Sequence, residues 1–163
     1  MEEANAVTEV TRREIFDSLR VAGTEIYGRL PEIEFLDRVF NLAELPSHDP
    51  RFDSMKGDIQ QHTIRNFDWP SDWIYSDARL NLWRCPDQVF LKFIAEMVHP
   101  VVRPDLAEAK SLVDLFNENL RPDGWELVEA KQISGRPVFS ARPLDQNLAS
   151  SQKKSAAQEP APR

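Results

Sequence analysis

Asp123-Gly124-Trp125-Glu126-Leu127-Val128-Glu129-Ala130, then Ser134-Gly135-Arg136, then Val138-Phe139-Ser140-Ala141: this is the stretch of sequence whose reading decides the fold class. Asp123-Gly124 breaks the chain, the first run reads as a strand, and the last reads as its partner. Ser134-Gly135-Arg136 supplies a turn whose glycine accepts positive φ. An isolated hairpin is marginal in water, so this one must pack on something. What precedes it is helical. The expected class is therefore α+β, a mainly helical body closed by a C-terminal β-hairpin packed on the helices.

Working backwards, Pro104 opens a helix that carries Leu106, Ala109, Leu112, Val113, Phe116 and Leu120 on one side. Pro86 opens another, with Asp87 in its first turn, Val89, Phe90, Phe93, Ile94, Met97 and Val98 facing inward, and Pro100 at its end. Pro31, with Glu32 and Glu34 behind it, starts a helix through Phe35, Leu36, Val39 and Phe40. Thr11 and Glu14 have capping-box spacing for a first helix that Gly23 stops. Between Pro46 and Pro86 the pattern weakens. Ser47-His48-Asp49-Pro50 and Asp68-Trp69-Pro70-Ser71-Asp72 read as turns, with room for a helix from about Met55 to Asn66. That segment holds three of the four tryptophans, Trp69, Trp73 and Trp83, most simply as rings folded back onto the core.

One domain accounts for a chain of 163 residues that is 41% hydrophobic and 29% charged. Its expected limits are 11–143, with residues 1–10 a flexible lead-in. Residues 144–163 turn to Gln, Ser, Ala, Lys and Pro and are expected to be a disordered tail. The net charge is −7, and the tail takes away three cations and two carboxylates, leaving −8 on the body. So acidic a body is a poor binder of phosphate backbones, which argues against nucleic acid, and against anionic lipid. Cys85 is the only cysteine, which forbids an internal disulfide and suits a reducing compartment. No signal peptide or apolar span is evident, so a cytoplasmic location is expected.

Histidines and carboxylates are the natural carriers of chemistry. His62 follows Asp58 by four residues, so a helix would put both on one face, most simply as a side-chain hydrogen bond. His99 follows Glu96 by three and sits at a helix end, where a protonated ring meets the favourable end of the dipole. If Asp58, His62, Glu96 and His99 converged, they would make a metal site for a hydrolase or nuclease. One cysteine and scattered histidines give none of the usual zinc spacings, and no phosphate-cradling glycine loop is present. No metal or other cofactor is expected. Cys85, beside Leu82 and Trp83, reads as packing, although Arg84 and the helix start at Pro86 would favour a thiolate. Asp68, Asp72 and Asp77 read as solvated loop carboxylates, and Arg103 as a clamp on a carboxylate. Arg136 projects from the hairpin turn and is the better candidate for touching a partner.

Several runs resemble one family. They are Thr11-Arg12-Arg13-Glu14-Ile15-Phe16-Asp17, Gly28-Arg29-Leu30 with Phe35-Leu36-Asp37-Arg38, Leu45-Pro46-Ser47, and Gly57-Asp58-Ile59-Gln60-Gln61-His62. Asp72-Trp73 and Leu120-Arg121-Pro122-Asp123-Gly124-Trp125 add to them, as does Ile133-Ser134-Gly135-Arg136-Pro137-Val138. The most specific is Glu96-Met97-Val98-His99-Pro100-Val101-Val102-Arg103-Pro104. Together they resemble the N-terminal domain, third class, of AbiJ-type abortive-infection proteins, over about Thr11 to Arg142. The resemblance implies a domain usually fused to an effector, such as an RNA-cleaving HEPN or a TIR domain, and concerned with sensing invaders or coupling that sensing to the effector. The polar run after Pro143 is not expected to lead into an effector, and the Arg…His pair of such RNA-cleaving domains does not occur in a suitable helix. Sensing or an adaptor role is therefore expected rather than direct toxicity.

The leading expectation is a non-catalytic recognition or adaptor module in bacterial antiphage defence, binding a protein partner through an exposed patch of Trp69, Trp73 and Arg136. The alternative is the metal-dependent hydrolase on Asp58, His62, Glu96 and His99. A third reading uses the hairpin as a wing on nucleic acid, through Lys131 and Arg136.

Overall fold

Among the described residues, five α-helices and one hairpin follow in the order expected. The computed structural model describes residues 6–144, and the expected disorder beyond that point lies outside them. The helices are α1 (Glu9–Ala22), α2 (Glu32–Phe40), α3 (Met55–Ile59), α4 (Asp87–Met97) and α5 (Leu106–Leu120). Strands β1 (Trp125–Ile133) and β2 (Arg136–Pro143) pair antiparallel, so the chain is α+β.

The first helix starts earlier than its capping box predicted. Thr8, not Thr11, is the N-cap, its hydroxyl accepting the Thr11 amide at 3.3 Å. Thr11 offered the better sequence signal, but a tertiary strap decides the start. The amides of Ala6 and Val7 donate to Asp87 (2.8 and 3.3 Å), and the Thr8 amide donates to Asp123 (3.0 Å). Arg12 completes the strap. Its fully buried guanidinium donates to the carbonyls of Val7 and Leu82 (3.0 and 3.1 Å) and to Asp87 (3.0 Å). Residues 6–10 are thus part of the domain, a correction to the flexible lead-in expected there. At the other end, the Leu144 amide donates to the Gly124 carbonyl (2.9 Å), which brings the chain back beside its start.

The core is aromatic. Phe16 sits edge-on to Tyr75, Trp83, Phe90 and Phe93 at centroid distances of 5.1 to 5.8 Å, and Phe93 carries the contact on to Phe35. Edge-to-face packing aligns the positive rim of one ring with the negative face of the next. Each buried ring is also worth about 2–3 kcal/mol of burial. Helix α4 lies between α2 and β2, while α5 packs against α1 and β1.

Asn117 docks the hairpin. Buried on α5, it accepts the Leu127 amide through Oδ1 (2.6 Å) and donates through Nδ2 to the Leu127 carbonyl (3.0 Å). The strands run longer than their apolar cores predicted, with a bulge at Ala130 and a turn at Ser134-Gly135. Both turn residues have positive φ (52° and 76°), the pattern that matches the natural twist of a two-residue hairpin. The middle helix is not regular. After α3 it widens into a π-turn, Gln60–Arg65, where the Asn66 amide reaches back five residues to Gln61.

Candidate functional site

Asp58 is buried in the molecule's irregular middle segment. It accepts from the Ser47 hydroxyl, the His48 amide (2.8 Å) and the Arg79 guanidinium (2.8 Å). Arg79 in turn donates to Asp77 (2.8 Å) and to the Pro46 carbonyl (2.9 Å). Burial opposes ionisation of Asp58, but these donors outweigh it and hold its pKa below the usual carboxylate value. The cluster pins the Pro46–Asp49 turn and the Asp77–Arg79 loop to α3.

His62 therefore has no bond to Asp58. It pairs with Asp68 through Nδ1 at 2.7 Å and stacks on Trp69 at 5.0 Å, because Asp58 is captured by the neighbouring loops. Glu96 bonds Arg38 at 2.9 Å. The His99 Nδ1 accepts the Val101 amide at 3.0 Å, and burial lowers the ring's pKa. The expected protonated His99 is thus corrected to a neutral ring that holds the loop after α4. The four residues of the hydrolase alternative do not gather, and among the described residues no three His, Cys, Asp or Glu side chains are grouped to hold a metal ion.

The tryptophan patch also needs correction. Trp73 is buried, with its indole N–H donating to Glu32 at 3.2 Å, and half-buried Trp69 packs against it at 4.8 Å. A large ring in the core gains more than one left in water, so Trp73 cannot present a surface with Arg136. Cys85 is buried as well, and burial raises its thiol pKa, contrary to what a reactive thiolate needs. Asp68 and Asp77 are paired with His62 and Arg79 rather than simply solvated. Arg103 does clamp a carboxylate, Glu108 at 3.0 Å, while also donating to the carbonyls of Met97 and Glu25 (3.0 and 2.6 Å).

Arg136 leads to the open surface that remains. It is exposed at the hairpin tip and lines a cleft of about 230 Å³ with Arg29, Pro100, Val101, Pro104 and Ile133. Arg29 and Pro104 are shared with a second cleft of about 530 Å³ that runs toward Gly23 and Gly28. Arg29 is held in place from its backbone and its side chain. Its amide donates to the Val102 carbonyl (3.0 Å) and its Nε to the Val101 carbonyl (2.8 Å). Gly28 allows this approach, since a Cβ there would collide with the Val102 carbonyl oxygen. Among the described residues neither Arg29 nor Arg136 has a carboxylate partner, whereas Arg12, Arg38, Arg79 and Arg103 all do. Sequence reasoning found Arg136 but missed Arg29; the only local hint was the glycine before it.

No curated protein and no solved structure matches this chain. A family model, described as AbiJ N-terminal domain 3, matches residues 6–141, which takes in the N-terminal strap, the five helices and almost the whole hairpin. The chain therefore belongs to the AbiJ N-terminal domain 3 family, whose setting is abortive-infection defence.

Proposed function

We propose that this domain is a non-catalytic recognition or adaptor module in abortive-infection defence, acting through contact with another protein. One observation carries the reading. The groups that would do chemistry are bonded into the scaffold, while the two arginines of the hairpin-tip cleft have no carboxylate partner among the described residues. An unneutralised guanidinium beside exposed apolar side chains is the composition of an interface centre rather than of a solvated face.

Phage challenge tests it. Cells producing the chain in its own genetic setting are compared with cells producing an Arg136→Glu variant at equal protein level and melting temperature. Protection is expected to fall in the variant. Undiminished protection would remove the hairpin tip from the reading.

A further inference from the structure

We propose that the cleft at the hairpin tip binds an acidic peptide segment of a protein partner, in which an apolar side chain is flanked by carboxylates. This rests on the recognition reading above and supplies its ligand chemistry.

The cleft has two parts that such a segment would use at once. Val101 and Ile133 are 37% and 39% exposed, and with Pro100 and Pro104 they form an apolar wall. About 230 Å³ is room for one large apolar side chain. Arg29 lies on one side of that wall. Its Nε is already bonded to the Val101 carbonyl, so the guanidinium is oriented while its two terminal nitrogens make no bond to described residues. A fork positioned in this way loses little entropy on gripping a carboxylate bidentately. Arg136 borders the same space, and Lys131, two residues before Ile133, adds a third cation to the same end of β1.

Charge selects the ligand. The chain carries −7, and Glu25 and Glu108 line the larger cleft, Glu108 being bonded to Arg103. An acidic segment is therefore repelled from most of the surface and drawn to the arginines, which sets its register. Nucleic acid fits less well. No aromatic ring lines either cleft to stack a base, and the acidic body opposes a run of phosphates.

The test uses the full chain and dye-labelled synthetic probes followed by fluorescence anisotropy. One peptide has a central leucine flanked on both sides by paired glutamates. A second replaces the leucine with serine, a third replaces the glutamates with lysines, and a single-stranded RNA matches the first in charge. The first peptide is expected to bind best. Its affinity should fall about tenfold in an Arg29→Glu, Arg136→Glu double variant that melts normally. Ile133→Asp, which leaves both arginines, should weaken the leucine peptide and not the serine one. Tighter binding of the RNA or the lysine peptide would overturn the proposal, as would equal binding by the double variant or no binding at all. The same double variant separates the two levels of inference in the phage assay. Lost protection without peptide binding would reject the acidic ligand and leave the recognition module standing.

Discussion

Asn117 satisfies both backbone polar groups of Leu127, doing from a helix what a neighbouring strand would otherwise do. The pair is buried, so its partners cannot turn to water. Asn117→Ala strands an amide and a carbonyl in the core and should cost about 3 kcal/mol. Urea unfolding gives the loss, and hydrogen exchange at the Leu127 amide should rise before exchange in α4 does. Protection at Leu127 equal to wild type would show that the hairpin docks without this side chain.

Asp58 and Asp77 share Arg79 but are not equivalent. Asp58 is almost fully buried and has two further donors, the Ser47 hydroxyl and the His48 amide, whereas Asp77 binds within its own loop. Asp58→Ala should destabilise by about 3 kcal/mol and Asp77→Ala by about 1 kcal/mol. The first pKa is depressed, so its stabilisation is complete above the ordinary carboxylate value of 3.8 and disappears as pH falls through the lower folded value. A wild-type stability profile should accordingly fall below about pH 4 more steeply than that of Asp58→Asn.

Glu32 has the opposite sign. Burial raises its pKa, and the Trp73 indole N–H only partly offsets this. Between the unfolded value of 4.5 and its higher folded value, the folded chain holds more protons, so stability declines as pH rises through that window. Glu32→Gln keeps an oxygen for Trp73 and removes the charge. Its melting temperature should exceed wild type by about 2 °C at pH 7, with the gain gone below pH 4.5. A variant less stable at pH 7 would contradict this account.

Gly28 couples packing to the cleft. Its φ is +54° and a Cβ there would meet the Val102 carbonyl, so Gly28→Ala must push the Arg29 loop away from Val101. A loss of about 2–3 kcal/mol is expected. Acidic-peptide binding should weaken as well, because Arg29 loses its anchor at Val101. Wild-type stability would mean that the close approach is dispensable.

What could be read from the sequence was recorded in near neighbours. Pro31 and Pro86 mark the starts of α2 and α4, and Ser134-Gly135 marks the turn because only certain residues tolerate its backbone. The α+β class followed from those signals. The site was less legible, since its partners are chosen across long sequence distances. Nothing adjacent to Asp58 announces Arg79, and the i, i+4 spacing to His62 misled because the π-turn and two loops redirect both side chains. Burial of Trp73 was the simpler reading of its segment, but its polar partner Glu32 lies 41 residues away and could not be named. Arg29 was hidden for a related reason, its neighbour Val101 being 72 residues away.

The strap at Asp123 and the Leu144–Gly124 bond have a consequence for how such a domain could be wired into a larger machine. Entry and exit lie side by side at the base of the hairpin, while Arg136 sits at its tip, about 26 Å away at the usual strand rise. Both ends of the described chain thus sit at one pole and the proposed peptide cleft at the other, so filling that cleft need not disturb the ends.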